Sequence, residues 1–192
     1  MSGIVGLLLA AGSAKRFGSN KLLHGLPHGV PMAVQAARHL KPEVDRVLAV
    51  VRSQSDLSES LEREGCEIVV CDRADEGMGA SLACAARAAG KAGGYLAALA
   101  DMPYIRRSSI AAVRQALESG AALAAPYWRG RRGHPVGISG TFFQDLVSLS
   151  GDQGAKSILE KNNERLVKIP LGDPGVLRDI DTPEDLLPPI QV

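Results

Sequence analysis

The chain of 192 residues reads as an α/β protein built on a mostly parallel sheet with helices on both faces. Three observations predict this. Short, continuous apolar runs recur; segments rich in Ala, Leu, Gln, Glu and Arg separate them; and those separators are about as long as single helices. Strands buried on both faces have such uninterrupted apolar runs, and strand–helix alternation is the signature of right-handed βαβ units.

The expected strands are 4–10, 46–51, 67–70, 95–100 and 122–126, with helices at 31–40, 55–64, 79–89 and 107–119 between and after them. Beyond Pro126 the alternation loosens. Tyr127 to Gly133 is a polar turn carrying Arg and Gly, followed by a strand at 135–139, helices at 141–148 and 154–161, and a strand at 166–169. At the C-terminus, Asp179-Ile180-Asp181-Thr182-Pro183-Glu184-Asp185 reads as a strand end entering a helix. Thr182 would be the N-cap, Pro183 the first helical residue, and Glu184 and Asp185 the acids of the first turn. No repeat, low-complexity stretch or linker interrupts the pattern, so residues 1–192 are expected to form a single domain.

Composition bounds the function. A hydrophobic content of 45% against 22% charged residues supplies a core without metal or disulfide staples. With 22 Lys+Arg against 21 Asp+Glu, the net charge of +1 gives no support for nucleic acid or an anionic membrane as partner. Cys66, Cys71 and Cys84 are odd in number and have no CxxC spacing, which reads as reduced thiols in a cytoplasmic protein. The first apolar run stops at Ala11-Gly12, too short to span a bilayer, and no longer one follows.

In open parallel sheets ligands bind beyond the carboxyl ends of the strands. The first strand is followed by Ala10-Ala11-Gly12-Ser13-Ala14-Lys15-Arg16-Phe17-Gly18-Ser19-Asn20-Lys21. Small residues there let backbone N–H groups approach phosphate oxygens, and Lys15, Arg16 and Lys21 offset negative charge. It is not a P-loop, since the glycine spacing is one residue too long, and GxGxxG is absent, which disfavours a NAD-dependent dehydrogenase. The fourth strand ends in Ala100-Asp101-Met102-Pro103, placing a carboxylate suited to Mg²⁺. Asp181 repeats that arrangement, but Asp179 shares its face of an extended chain, and spacing does not choose between them. Gly77, Gly79 and Ser81 precede or open a helix, where they would either read the edge of a base or merely cap the helix. Trp128-Arg129-Gly130-Arg131-Arg132-Gly133-His134 joins an aromatic face to guanidinium groups and an imidazole, which would suit a flat, phosphorylated acceptor or form a solvated hairpin.

Taken together, these stretches resemble the molybdenum cofactor cytidylyltransferases and related molybdopterin-dinucleotide nucleotidyltransferases. The resemblance rests on six motifs in order: Leu9-Ala10-Ala11-Gly12 with Arg16-Phe17-Gly18 and Lys21; Glu76-Gly77-Met78-Gly79-Ala80-Ser81-Leu82; Ala100-Asp101-Met102-Pro103; Arg132-Gly133-His134-Pro135-Val136; Gly151-Asp152-Gln153-Gly154-Ala155-Lys156; and Asp179-Ile180-Asp181-Thr182-Pro183-Glu184-Asp185. It implies a three-layer αβα, Rossmann-like sheet of the nucleotidyltransferase, glycosyltransferase-A-like type. It also implies Mg²⁺-dependent transfer of CMP from CTP to the terminal phosphate of molybdopterin, releasing pyrophosphate, with passing contact to an apo-molybdoenzyme. By the same resemblance Leu9, Ala10, Ala11 and Gly12 would line the nucleotide pocket, with Arg16 and Lys21 on the triphosphate. Gly79 and Ser81 would hold the base, and Asp101 and Asp181 the metal. Arg131, Arg132, His134 and Lys156 are the candidates for the acceptor side.

Ala-Ala-Gly at 10–12 looks like the cytidylyl members, whereas guanylyl members carry Ala-Gly-Gly. Ala14 and Asn20 depart from the family pattern, where Ser or Gly and an acidic residue are usual. The alternatives are GTP in place of CTP, a sugar or polyol phosphate in place of molybdopterin, or a non-catalytic escort. The presence of Lys21, Asp101 and Asp181 argues against the escort, because a pure binder needs no metal-aligned triphosphate.

Overall fold

A computed structural model describes residues 3–12 and 21–186. The elements follow the expected alternation: β1 (Ile4–Leu9), α1 (Met32–Leu40), β2 (Arg46–Val51), α2 (Asp56–Arg63), β3 (Glu67–Val70), α3 (Met78–Ala89), β4 (Gly94–Leu99), α4 (Arg107–Glu118) and β5 (Leu123–Trp128). Then come β6 (Arg131–Arg132), β7 (Val136–Ser139), α5 (Phe143–Val147), α6 (Lys156–Lys161) and β8 (Leu166–Pro170). The sheet runs β3-β2-β1-β4-β7-β5-β6, and β8 pairs alongside β5.

β1 pairs in parallel with β2 on one side and with β4 on the other. This switch from one neighbour to the next opens a crevice at the carboxyl ends of the three strands. β7 enters antiparallel between β4 and β5, so the sheet is mixed: parallel from β3 to β4, with one reversed strand before β5 and β8 resume the original direction.

Consecutive strand residues feed opposite cores, which is why the runs are apolar without alternation. Leu7 and Tyr95 pack into the layer with α3, α5 and α6, around Leu82, Leu146 and Ile158. Leu8 and Leu96 pack into the layer with α1, α2 and α4, around Met32, Leu61 and Ile110. The small faces of the helices set the spacing. On α3, Ala80, Ala83, Ala85, Ala86 and Ala89 are all buried, which lets the helix lie close to the sheet.

The C-terminal stretch departs from expectation. Residues 178–181 belong to no strand, and Pro183–Leu186 is a 3₁₀ turn, not an α-helix. The carboxylate of Asp185 reaches back to accept from the Asp181 and Thr182 N–H groups and from the Thr182 hydroxyl. Ile180 is completely buried, and its N–H donates to the Asp101 carbonyl at 3.0 Å. Its apolar side chain is what makes the segment resemble a strand. The predicted helices at 141–148 and 154–161 are also shorter, each preceded by turns. Among the described residues, no helix is long and apolar enough to cross a membrane. Cys66 and Cys71 are buried and Cys84 half-buried, all as free thiols.

A buried carboxylate braces the region behind this stretch. Asp173, 3% exposed, accepts from Ser109 Oγ at 2.6 Å and from the Arg106 and Gly175 N–H groups at 2.9 Å each. It joins the start of α4 to the turn that carries Val176. Replacing it strands three donors, and loss of one partner of a buried polar set typically costs about 1–3 kcal/mol or more. Asp173→Ala is therefore expected to lower the unfolding free energy by about 3 kcal/mol, measured by urea denaturation.

Candidate active site

The carboxyl ends of β1, β2 and β4 open onto a cavity of about 290 Å³. Its walls come from four places: Leu9, Ala11 and Gly12 after β1; Arg52 after β2; Ala74, Asp75, Gly77, Met78 and Ser81 at the entrance to α3; and Leu99 and Asp101 after β4, with Asp152 across the mouth. The apolar floor and polar rim are what a base and its ribose require. The N-terminus of α3 adds the positive end of a helix dipole.

Not every small residue of the motifs serves the cavity. Ala10 is buried in the α1-side core, so it belongs to packing. Gly79 also turns away. Its N–H donates to the Gly151 carbonyl at 2.7 Å, and a Cβ there would lie 2.5 Å from the Ser150 carbonyl oxygen. Its glycine permits α3 to abut the 150–152 loop, and Gly79 is not among the residues that line the cavity. Gly77 (φ +120°) makes the sharp entry to the helix, and Ser81 lines the cavity while its hydroxyl donates to the Gly77 carbonyl at 3.3 Å.

Arg52 was not singled out by the motifs, although a charged residue directly after a central apolar strand is itself a signal. Its Nε donates to the Ala11 carbonyl at 2.7 Å, and its Nη1 pairs with Asp75. The guanidinium thus ties the small-residue turn after β1 to the opposite wall. With the Ala11 carbonyl engaged by Arg52, the turn is held at a set distance from the α3 entrance.

Beside the cavity lies the most concentrated charge. Lys21 Nζ donates to Asp101 Oδ2 at 3.0 Å and to Asp181 Oδ1 at 2.9 Å. The lysine is 9% exposed. Burial alone would lower its pKa, but the adjacent carboxylates of Asp101 and Asp181 outweigh that and raise it. Asp181 is brought there by the C-terminal stretch, pinned by the Ile180 bond to Asp101, by Tyr104 Oη donating to the Leu186 carbonyl, and by Arg178 Cζ lying 4.8 Å from the Tyr104 ring centroid. Asp179 is exposed and acts electrostatically on His134, so it is Asp181 that shares a cation with Asp101.

The two carboxylates already converge on one cation, and hard divalent ions commonly take one or two carboxylates and complete their shell with phosphate and water. Asp101 and Asp181 therefore suit such an ion. Among the described residues no cluster of three or more His, Cys, Asp or Glu forms a self-sufficient metal cage. Arg16, the other basic residue expected at the triphosphate, lies outside the described residues.

The acceptor-side candidates divide. Arg131 and Arg132 are exposed on β6, outside the cavity lining. Lys156 is on the surface of α6, with Nζ 3.7 Å from Glu160, and is also outside that lining. His134 is different. It lies just before β7, the neighbour of β4, and its N–H donates to the Val176 carbonyl at 2.9 Å. Its Nδ1 is buried and has no hydrogen-bond partner among the described residues. Burial drives the imidazole pKa down to about 4 despite the opposing Ala97 carbonyl and Asp179, so the ring is neutral at physiological pH.

Residues 6–166 match the model of the MobA-like NTP transferase domain. The chain is similar to the purine catabolism protein PucB of Bacillus subtilis (strain 168), with 31% identity over 197 residues, covering 95% of this chain and 93% of that protein. Its fold is similar to a nucleotidyl transferase from Methanothermobacter thermautotroptrophicus, Mth528, with a TM-score of 0.80 at 23% identity, covering 95% and 94% of the two chains. It is likewise similar to Rv0371C from Mycobacterium tuberculosis H37Rv in its complex with manganese, with a TM-score of 0.73 at 22% identity and 96% of each chain covered.

The His134 environment has a pH consequence. Between pH 6.5 and about 4, the unfolded chain protonates this imidazole while the folded chain resists it. Its contribution to stability is therefore complete above pH 6.5 and lost as pH falls through that window. Urea denaturation across this range is expected to show a steeper acid-side loss for the wild type than for His134→Gln.

Proposed function

The chain belongs to the MobA-like NTP transferase family, and from that premise we propose that it transfers CMP from CTP to the terminal phosphate of molybdopterin and releases pyrophosphate. The observation that carries the reading is the placement of the cavity directly beside the Lys21, Asp101 and Asp181 cluster, with Asp101 common to both. A base held against Leu9, Ala11 and Leu99 points its phosphates toward that charge. The Ala11 methyl narrows the cleft and favours the smaller pyrimidine.

Asp101 and Asp181 are the proposed holders of a divalent cation, Mg²⁺ by this reading, and the manganese complex of the mycobacterial relative's structure supports a divalent ion in this fold. When bound, such an ion neutralises negative charge on the triphosphate. The chain's own residues do the rest. Lys21 and Arg16 bind phosphate oxygens and offset the charge that grows on departing pyrophosphate. Arg52 holds the turn after β1 against Asp75, keeping the nucleotide in register. A phosphate monoester acceptor is largely ionised at neutral pH, so no strong general base is required. Rate then comes from positioning and charge stabilisation.

On the acceptor side, His134 precedes the strand that pairs with β4, whereas Arg131 and Arg132 would reach a phosphate only at the outer rim. The protein would act in the cytoplasm. An apo-molybdoenzyme is the proposed recipient of the product.

The test is pyrophosphate release from CTP, GTP, UTP and ATP, each with Mg²⁺ and molybdopterin. Release with CTP is expected, and Asp101→Ala should cut it by at least ~10²-fold, as for loss of a major electrostatic stabiliser. Release with GTP alone would move the base assignment, and release by Asp101→Ala near the wild-type rate would overturn the site assignment.

A further inference from the structure

Lys21 occupies the very oxygens that a divalent ion would use. Its ammonium lies 3.0 Å from Asp101 Oδ2 and 2.9 Å from Asp181 Oδ1, in a residue only 9% exposed. Two carboxylates brought this close repel one another, so without a metal they need a cation between them, and Lys21 provides it. A divalent ion binding the same oxygens must move the ammonium aside. If both cations stayed, the pair of carboxylates would be over-neutralised around a buried ammonium. The imbalance disappears when a triphosphate brings its own negative charges to the cavity edge at Gly12 and Asp101.

We propose that Lys21 is an internal counter-ion that keeps divalent metal off Asp101 and Asp181 until an anionic nucleotide draws the ammonium away. Metal and nucleotide then bind with positive coupling, and by linkage each strengthens the other by the same factor. Lys21 is in this sense a positioning residue before it is a phosphate ligand. The device keeps the site from holding a metal uselessly, and it preserves the approach of Asp181 to Asp101 while the site waits. It rests on the proposed reading of Asp101 and Asp181 as metal holders, but not on the identity of the base or acceptor.

The experiment is Mn²⁺ binding to the full chain, followed by the electron paramagnetic resonance signal of free Mn²⁺, with no acceptor present. Wild type should bind Mn²⁺ weakly alone and about tenfold or more tightly with saturating CTP, within the usual range of coupling. Lys21→Met should bind Mn²⁺ without nucleotide at least ~10-fold more tightly than wild type and show little further gain from CTP. Lys21→Arg, which keeps a cation between the carboxylates and so guards against a folding artefact, should stay as weak as wild type. Equal Mn²⁺ affinity of wild type and Lys21→Met, both abolished by Asp101→Asn, would overturn the counter-ion and leave the metal site standing. Mn²⁺ binding by Lys21→Met that ignores both Asp101→Asn and Asp181→Asn would overturn the metal reading, and the counter-ion with it. Lys21→Arg binding as tightly as Lys21→Met would also overturn it.

Discussion

One ammonium group holds the working end of this protein together. Lys21 reaches carboxylates 80 and 160 residues away in sequence, so the segment after β1, the turn after β4 and the C-terminal stretch meet at a single Nζ. Lys21 is buried, so removing either carboxylate leaves its ammonium less well compensated, while the half-exposed Asp181 is partly screened by solvent. The same three groups are the strongest electrostatic feature beside the cavity. Their role in holding the C-terminal stretch and their proposed role toward metal and phosphate thus draw on one set of contacts.

That cluster depends on the sheet. Parallel pairing of β2, β1 and β4 puts three carboxyl ends side by side, and burial of both faces makes their positions stiff. The remaining parts are struts. Arg52 fixes the turn after β1 to the α3 entrance, Gly79 lets α3 meet the 150–152 loop, and Asp173 braces the turn behind His134. Each acts at a distance from the cluster, yet each sets the position of a wall of the cavity.

Much of this was legible in the residues. The strands β1 to β5 and the helices between them announce themselves because burial on both faces demands unbroken apolar runs, and Leu7 and Leu8 indeed serve opposite cores. Gly12, Leu9, Ala11, Ser81 and Asp101 reach the cavity as the position of strand ends suggests. What resisted reading depends on contacts made across the chain. The reversed direction of β7 follows from its return after the β5–β6 hairpin, which its four-residue pattern does not encode. Ile180 imitates a strand residue, since a buried isoleucine in extended chain looks the same with or without a pairing neighbour. Gly79 and Gly77 carry identical letters and both lie against the 150–152 loop, yet only Gly77 also lines the cavity. Asp179 and Asp181 were indistinguishable by spacing, and the position of Lys21 separates them.

If the cavity and the adjoining charge cluster together transfer a nucleotidyl group, the α-phosphorus of the nucleotide must end on the acceptor. The most direct measurement supplies CTP labelled at the α-phosphorus together with molybdopterin and Mg²⁺, then follows the label. One labelled nucleotide joined to the acceptor for each pyrophosphate released is the expected result. Label recovered as free CMP, or remaining in CTP while molybdopterin stays unmodified, would contradict it.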